Sequence, residues 1–372
     1  MKIAVFHELP RGGARRSINA YASILKKLHQ VDLYITDDEK TIGEEKLFSK
    51  ICYFPFSQKE WKGNNWKIRL YKDTLELYKL NRLHKKIAET IDKCVYDIVL
   101  VSASQYIEAP FILKFLKTPN IFFAQDPYYR IIYDPIFTIQ KDVDIFRYWY
   151  EKTNRWVRKI LDKQNIKSTQ LCVSPSKYIA QIFRKTYNKE VTVVHHGVDH
   201  QFFKPSNKKK DIDIFYIGSY DAVDGLVLLK KTLRYIKKKI VVRTVMKEEE
   251  WITDDKELRD LYRRAKIMFC PARREGLGLV LLEAVSSGTP VIARDEAGHR
   301  EIIMNNYNGY LMSPNPKKIA AEITNLLSDP EKIHRLGQNG REDILKYWTW
   351  EKRTKELEMV LYEHIRSSLK KN

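Results

Sequence analysis

Two glutamates, Glu275 and Glu283, enclose a segment whose residue types suit the binding of a phosphorylated ligand. The segment follows residues 267–270, a short apolar run that predicts a buried strand. Gly276 and Gly278 then mark a turn in which the backbone can come close to a ligand. The sequence therefore predicts a strand that ends in a polar, glycine-containing loop.

A short helix is expected after this loop, over residues 279–287, with Gly288 just past its end and Pro290 blocking its continuation. The start of a helix presents free N–H groups and a partial positive charge, both of which favour phosphate. A glutamate can accept hydrogen bonds from two neighbouring hydroxyls. This arrangement suits a diphosphate that carries a sugar at each end, with Glu275 near one sugar and Glu283 near the other.

The whole string from residue 273 to residue 293 resembles the E-x7-E signature of retaining glycosyltransferases of family 4. Residues 258–271 look like the helix and strand that precede the signature in that family, and residues 297–303 and 306–311 look like the segments that come after it. The resemblance covers the C-terminal half of the chain well and the N-terminal half weakly.

The resemblance implies an α/β protein of GT-B architecture, with two Rossmann-like domains whose parallel sheets face each other across a cleft. It also implies a nucleotide-sugar donor (UDP-, GDP- or dTDP-linked) and transfer to a hydroxyl with retained configuration, with no cofactor and no metal. In such an enzyme Glu275 contacts the transferred sugar and Glu283 binds the ribose. The diphosphate is held by backbone groups of Gly276, Leu277, Gly278 and Leu279.

A second glycine loop, Gly12-Gly13, follows the first apolar run of the chain. It resembles the Gly-Gly-Ala loop of the family, which lies near the acceptor and the donor phosphates. Arg11, Arg15 and Arg16 can add phosphate contacts there. A plain tight turn is the alternative.

On the acceptor side the chain departs from the family, which commonly has a histidine after the fourth strand of the first domain. Here Gln125 and Asp126 stand at that place. Gln125 can orient a hydroxyl, whereas Asp126 can also accept a proton. His7, expected on the loop after the first strand, is a possible substitute, and His299 is a weaker candidate for the donor site.

The donor side departs further, because the family usually carries an arginine and a lysine after the first strand of its second domain. Ser219, which follows Gly218, and Asp224 occupy those places here. A leaving diphosphate needs positive charge as its bond breaks. Either activity is weak or absent, or another cation supplies this charge; the candidates are Arg273, which we favour, Arg274 and Lys247.

The formal net charge of +20 favours anionic partners. No nucleic-acid recognition motif accompanies it, which argues against a nucleic-acid binder. Aromatic and basic residues alternate in residues 61–72 and 146–150, a pattern that suits a lipid headgroup layer. Ordinary amphipathic helices and a general lysine bias are the alternatives. We therefore expect a glycan or lipid-linked acceptor, as in cell-surface polysaccharide assembly, and peripheral contact with an anionic membrane.

The beginning of the chain predicts a buried strand rather than a signal peptide, and no apolar run approaches the roughly 18 residues of a spanning helix. We therefore expect a cytoplasmic protein, at the inner face of the membrane if its basic surface holds it there. The four cysteines are expected to be buried free thiols and form no zinc motif: Cys52, Cys94, Cys172 and Cys270.

Strand-like and helix-like segments alternate along the chain, which predicts parallel sheets covered by helices. We expect a first domain over residues 1–198, a nucleotide-sugar domain over 199–346 and a C-terminal helix over 347–372 that crosses back to the first domain. The predicted strands are 2–6, 31–35, 98–101, 121–123, 170–174, 191–195, 213–217, 240–245, 267–270, 291–293 and 309–311. The predicted helices are 14–28, 70–92, 144–164, 177–187, 225–238, 255–265, 279–287, 317–327 and 330–346. A catalytically idle protein that binds a nucleotide sugar or a glycan remains the alternative function.

Overall fold

The computed structural model describes residues 1–36, 43–57, 66–125, 132–133, 144–249, 252 and 254–370. The chain forms two compact units. The first unit contains residues 1–175, 179–194 and 354–372, and the second contains residues 176–178 and 195–353.

The first unit is built on a parallel sheet of seven strands in the order β3-β2-β1-β4-β5-β6-β7. The strands are β1 (Lys2–Glu8), β2 (Gln30–Ile35), β3 (Lys50–Tyr53), β4 (Ile98–Ser104), β5 (Asn120–Phe123), β6 (Leu171–Ser174) and β7 (Val191–Val193). The helices are α1 (Gly13–Leu25), α2 (Trp66–Tyr71), α3 (Leu77–Lys93), α4 (Ile145–Ser168) and α5 (Lys177–Tyr187).

Three elements of this unit differ from the sequence-based expectation, and the first is an unpredicted 3₁₀ helix at Phe111–Lys114. β3 was not predicted, because its four residues are partly exposed and give no clear period. It forms by pairing with β2, from Asp32 opposite Lys50 to Ile35 opposite Tyr53. The helix predicted over residues 70–92 is a longer helical run, in which a π-helical turn at Lys72–Glu76 joins α2 to α3.

The second unit contains a parallel sheet of five strands in the order β12-β11-β10-β8-β9. The strands are β8 (Ile212–Gly218), β9 (Val242–Met246), β10 (Ala265–Cys270), β11 (Val291–Arg294) and β12 (Gly309–Met312). The helices are α6 (Leu226–Leu233), α7 (Asp255–Arg264), α8 (Leu279–Ser286), α9 (His299–Ile302), α10 (Pro316–Leu327) and α11 (Pro330–Tyr347). The long C-terminal α12 (Trp350–Leu369) has only its first four residues in this unit.

Successive residues of the central strands enter different apolar clusters. Phe215 and Met268 belong to a cluster that includes Tyr262 of α7, whereas Ile214 and Ile267 belong to a cluster with residues of α10. Side chains alternate between the two faces of a strand, so both faces of this sheet are covered. This explains why the strands have continuous apolar sequences.

Residues 354–372 at the end of α12 belong to the first unit. Leu357 and Leu361 are fully buried there. His29 Nε2 lies 2.6 Å from Glu358 Oε1. The end of the chain therefore contributes apolar and polar contacts to the unit formed by its beginning.

All four cysteines are free, but only Cys172 and Cys270 are buried. The expectation of four buried thiols was wrong for Cys52 and Cys94, which are half-buried because each lies at the margin of the sheet or of a helix. None of the helices in the described part of the chain has the length and apolar character needed to cross a membrane.

Candidate functional site

The loops after β8 and β10 lie at the point where the strand order of the second unit reverses. From β8 the chain adds β9 on one side and β10 on the other. In open parallel sheets, ligands bind outside the carboxyl ends of the strands at such a point. Gly218 and Ser219 follow β8 there, and the Glu275 loop (residues 271–278) follows β10.

A glycine brings these two loops together. Gly225 has a φ of +78°, and a Cβ at this position would lie 2.5 Å from the Pro271 carbonyl oxygen. Nearby, the Arg273 N–H donates a hydrogen bond to the Val223 carbonyl oxygen at 2.6 Å. Only glycine tolerates both the positive φ and the close approach. The loops after β8 and β10 therefore pack directly against each other, and together we call them the rim.

The Glu275 loop is also hydrogen-bonded to the loop after β11. The Gly298 N–H donates to the Glu275 carbonyl oxygen at 3.0 Å, and a Cβ at Gly298 would lie 2.4 Å from the Gly276 oxygen. The Arg274 N–H donates to Glu296 Oε1 at 3.1 Å. Arg274 itself has a φ of +54°. The backbone around Glu275 is therefore fixed by its neighbours.

The side chain of Glu275 lies at the start of α8. Gly278 is the residue before this helix and has a φ of +101°. A Cβ there would lie 3.4 Å from Glu275 Cγ and 3.0 Å from Leu281 Cδ1. Glu275 is half-buried. The Glu275 side chain thus passes beside the residue that precedes α8.

Glu283 lies within the same helix and is only 2% exposed. The Tyr262 hydroxyl donates to Glu283 Oε2 at 3.0 Å. Tyr262 is itself fully buried, with its ring packed against Phe215. The carboxylate of Glu283 therefore has a fixed orientation.

Ser219 and Asp224 form a hydrogen bond with each other, in which the Ser219 hydroxyl donates to Asp224 Oδ2. Burial raises the pKa of Asp224, the Ser219 hydrogen bond opposes this, and the nearby Glu275 carboxylate raises the pKa further. The positions that carry cations in the resembling family thus hold a hydroxyl and a carboxyl. Any charge that neutralises a diphosphate must come from elsewhere.

Three cationic residues near the rim differ in their burial and in their hydrogen bonds. Arg273 is half-buried, and its Nε is buried with no hydrogen-bond partner among the described residues. Lys247 is exposed, and its backbone N–H donates to the Gly218 oxygen at 2.9 Å, which places it beside the end of β8. Arg274 is anchored through its backbone to Glu296. A buried donor without a partner is costly, and this sets Arg273 apart from the other two cations.

His299, the weaker donor-site candidate, lies beneath the Glu275 loop and is fully buried. Its Nδ1 lies 2.9 Å from the Arg294 oxygen and its Nε2 lies 3.6 Å from Cys270 Sγ. Burial lowers the pKa of His299, so the neutral imidazole is favoured. Both ring nitrogens have partners within the protein.

The structure treats the three candidate residues on the acceptor side differently. Gln125 follows β5 and is buried, and neither of its side-chain polar atoms has a hydrogen-bond partner among the described residues. Asp126 lies outside the described residues. The expectation that His7 lies on a loop was wrong, because β1 continues through His7, which pairs with Ile35, to Glu8. His7 is fully buried.

Gly12 and Gly13 stand at the start of α1. The backbone of Gly12 is extended, and a Cβ there would meet nothing within 4 Å. Open space therefore adjoins this residue, and the fold itself does not require a glycine at this position.

The sequence reasoning missed a buried polar cluster in the first unit. Glu8 Oε1 accepts a hydrogen bond from the Thr36 hydroxyl at 3.0 Å and lies 3.0 Å from His84 Nε2. Glu8 lines a cavity of about 210 Å³. No motif joins residues so far apart in the chain. The one available signal was a glutamate at the end of an otherwise apolar strand.

Known proteins resemble this chain in sequence and in fold. The family Glycosyltransferase Family 4 matches residues 11–202, and the family Glycosyl transferases group 1 matches residues 250–343. An uncharacterised glycosyltransferase of Methanocaldococcus jannaschii is 27% identical over 198 residues, which are 49% of this chain and 56% of that protein. The chain spans less than two thirds of the length of this and the next curated relatives.

Two solved structures are similar over almost their whole length. Sucrose-phosphate synthase of Thermosynechococcus elongatus has a TM-score of 0.72 at 16% identity, and the match covers 99% of both chains. Anabaena HepE in complex with UDP-glucose has a TM-score of 0.69 at 15% identity, and the match covers 100% of both chains. The predicted GT-B fold, with its two Rossmann-like domains, is confirmed.

The first family match alone covers more than half of the chain, and the second contains both glutamates of the signature. The chain belongs to glycosyltransferase family 4.

Proposed function

We propose that the protein is a retaining glycosyltransferase that moves a sugar from a nucleotide-sugar donor to a hydroxyl acceptor without a metal ion. The observation that carries this proposal is the Glu275 loop, which lies at the switch point of the second sheet and leads directly into α8. A carboxylate suits a sugar hydroxyl and the N–H groups of a helix start suit a phosphate, so the two ends of this loop support the two halves of the proposal.

Each part of the donor has a partner in this proposal. Glu275 contacts the transferred sugar, and backbone groups of residues 276–279 hold the diphosphate. Glu283, oriented by Tyr262, binds the ribose. The phosphate of the donor takes the proton of the acceptor hydroxyl, so no covalent protein nucleophile is needed.

Arg273 supplies the positive charge for the leaving diphosphate. Its buried Nε has no partner among the described residues, and its backbone lies in the same rim as Glu275. Lys247 and Arg274 are the alternatives for this role. A planar guanidinium can bind two phosphate oxygens at once, which suits a diphosphate better than a point charge does.

A UDP-sugar is the first donor to test, because Anabaena HepE, which shares the fold, was solved in complex with UDP-glucose. The direct experiment is a thermal-shift screen of the full chain against UDP-, GDP- and dTDP-sugars, with and without EDTA. We expect a rise in Tm with at least one donor, unchanged by EDTA. Lack of any shift would contradict the proposal, and a shift that EDTA removes would contradict metal independence.

The acceptor is proposed to be a lipid-linked or cell-surface glycan, reached by contact with an anionic membrane. Trp149, Trp156 and Ile160 recur on one face of α4 at helical spacings, and each is exposed. Phe146 is 76% exposed near the start of the same helix, and Lys152 Nζ lies 4.8 Å from the Trp149 ring. Exposed aromatic rings beside lysines suit the headgroup layer. The similar stretch at residues 61–72 lies partly outside the described residues.

A liposome flotation assay tests this contact. The Trp149→Ser/Trp156→Ser variant is expected to lose binding to vesicles with anionic lipids, because the exposed apolar area is removed. Tyr235→Ser, which removes an exposed aromatic ring of the second unit, is the matched control and should bind like wild type. Equal binding of all three proteins, or none by wild type, would refute membrane contact.

A catalytically idle, donor-binding protein is the second candidate function. The observation that favours it is the Ser219–Asp224 hydrogen bond, which occupies the place of two cations of the family. Donor hydrolysis separates the two candidates, because an idle protein binds the donor without releasing the nucleotide.

A further inference from the structure

One edge of the sheet in the second unit is open in the described part of the chain. β9 stands last in the strand order and pairs there with β8 alone, from Ile214 opposite Val242 to Gly218 opposite Met246. The register is continuous, so no bulge interrupts the strand, and β9 contains no proline. Proteins commonly protect edge strands with bulges or prolines. β9 has neither device, so its edge is suited to pairing with another strand.

The outer edge of β9 presents unpaired backbone groups. The Lys247 N–H donates to the Gly218 oxygen at 2.9 Å, so the odd-numbered residues of this stretch direct their backbone groups towards β8. The even-numbered residues therefore direct theirs outward. No described residue forms a hydrogen bond with the outward N–H and C=O groups of Val242 and Thr244. These groups remain available to a further strand.

The opposite edge of the same sheet is closed by the chain itself. On β12 the Leu311 N–H donates to Asn305 Oδ1 at 2.7 Å, and the Gly309 oxygen accepts from the Asn306 N–H at 2.9 Å. The turn before β12 thus occupies outward groups that would otherwise be unpaired. The open edge is therefore a property of β9 and not of the sheet as a whole.

The residues on either side of β9 carry opposite charges. Residues 237–239 are exposed lysines that precede the strand, whereas Glu248 and Glu249 are exposed and follow it. Tyr220 orients both glutamates, because its N–H donates to Glu248 Oε2 at 3.0 Å and its hydroxyl donates to Glu249 Oε1. Two copies of this segment attract each other when they run antiparallel, since each basic end then meets an acidic end. The segment is complementary to itself.

The outward backbone groups select one alignment of such a pair. Residues that lie directly opposite in an antiparallel pair exchange both hydrogen bonds when both turn their groups towards the partner strand. With Thr244 opposite Thr244 of the second copy, Val242 lies opposite Met246, so every outward-facing residue of β9 is paired. The same alignment brings Lys239 to the level of Glu249 of the second copy. Backbone and charge therefore favour the same register.

Arg243 is the one charged residue within β9 itself. It lines a groove of about 660 Å³ together with Asp254 and Glu257 at the start of α7. Val241, which is 54% exposed, lines the same groove. Because acidic side chains share the groove with the guanidinium, each copy offsets the charge of Arg243 locally.

We propose that two copies of this chain pair antiparallel through β9, about a twofold axis beside Thr244, so that their two five-stranded sheets become one. A twofold axis makes every contact occur twice, which is the commonest arrangement of protein dimers. The pairing does not depend on a sugar donor, since β9 contributes no residue to the Glu275 loop.

Sedimentation velocity of the full chain over a concentration series tests this pairing. We expect a dimer that dissociates on dilution. Thr244→Pro removes the outward N–H and leaves the bonds to β8 in place, so this variant should stay monomeric. Thr244→Ser keeps the N–H and is the matched control, which should dimerise like wild type. A wild type that is monomeric at every concentration, or a dimer that Thr244→Pro leaves intact, would overturn the proposal.

Exchange of the flanking charges tests the register with variants that leave the strand unchanged. Lys238→Glu/Lys239→Glu has two acidic ends and Glu248→Lys/Glu249→Lys has two basic ends, so each should lose the dimer by repulsion. An equimolar mixture should recover it, because every acidic end then meets a basic one. Absence of recovery, in variants that melt like wild type, would contradict the antiparallel alignment.

Disulfide cross-linking locates the twofold axis. Opposed hydrogen-bonded residues have Cα atoms about 5.5 Å apart, which a disulfide can span. Thr244→Cys should therefore yield a covalent dimer on mild oxidation. Val241→Cys is the matched control on the same segment, because its two copies would lie roughly 20 Å apart at 3.3 Å per residue. Equal cross-linking of the two variants would overturn the proposed register.

Discussion

The Glu275 loop and the Glu8 cavity occupy corresponding places in their own sheets, but the chain builds them in opposite ways. The Glu275 loop and α8 form one stretch from Pro271 to Ser286. The Glu8 cluster unites residues 8, 36 and 84, which lie on β1, just after β2 and on α3. A contiguous site can be recognised from local sequence, whereas a dispersed site becomes visible only after folding.

The two sites also differ in how their carboxylates are satisfied. Glu283 is held by Tyr262 in an apolar core, and Glu275 lies beside a helix start. Glu8 keeps one buried oxygen without a partner among the described residues. We therefore expect the second unit to recognise the anionic nucleotide of the donor, whereas the Glu8 cluster is a buried polar contact of the first unit.

The largest expected effect is that of Arg273→Ala. This change should lower kcat about 100-fold, because the leaving diphosphate loses its guanidinium. Arg274→Ala is the matched control from the next position and should cost less than about fivefold. Steady-state nucleotide release measures both. If Arg274→Ala has the larger effect, the cation has been assigned to the wrong residue of the loop.

Glu283→Ala comes next and tests the motif at its buried end. Loss of a hydrogen bond from a charged group to the ribose should cost on the order of 1.5–3 kcal/mol of UDP binding, which is roughly 10- to 150-fold in Kd. Titration calorimetry with UDP measures it. Unchanged affinity in a folded variant would refute the ribose role of Glu283. Only Glu275 of the two motif glutamates would then keep a proposed role in donor binding.

Asp224→Asn has a smaller expected effect, of the opposite sign. The amide oxygen can still accept the Ser219 hydrogen bond, but the negative charge beside Glu275 is removed. UDP affinity, measured by calorimetry at pH 7.5, should therefore rise about two- to tenfold. A tenfold fall would mean that Asp224 contacts the donor itself.

The last expected effect concerns the stability of the second unit and not ligand binding at its site. Burial, with a contribution from His195, lowers the pKa of His196 to about 3. The unfolded chain, with a histidine pKa near 6.5, binds the proton first, so the free energy of unfolding falls as pH drops from about 6.5 towards 3. Urea titrations should show a loss of about 2 kcal/mol at pH 5, compared with pH 7.5, that is absent in His196→Gln.

This pH dependence sharpens the comparison of the two sites. If UDP binding is lost over the same pH range in which the free energy of unfolding falls, the loss reflects destabilisation of the second unit. It does not then report protonation of the carboxylates of the site. An unfolding free energy that is the same at pH 5 and pH 7.5 in wild type would contradict the inferred burial of His196.

Local sequence was sufficient for eleven of the twelve described strands, for the turn at Gly276 and Gly278 and for the short helix α8, because their periodicity and glycines are local signals. It was insufficient for β3, which forms by pairing with β2. It also placed His7 on a loop, because no local signal marks the last residue of β1. The Glu8 cluster depends on contacts between distant residues, which a single sequence does not display.

The central claim, that the Glu275 loop holds an activated sugar, is tested most directly by donor hydrolysis. The release of UDP from UDP-glucose should be measured for wild type, Glu275→Ala and Glu342→Ala, the last a control at an exposed glutamate of the same unit. We predict slow release by wild type and Glu342→Ala and none by Glu275→Ala. Equal release by all three proteins would contradict the claim, and donor binding without release by wild type would identify an idle protein.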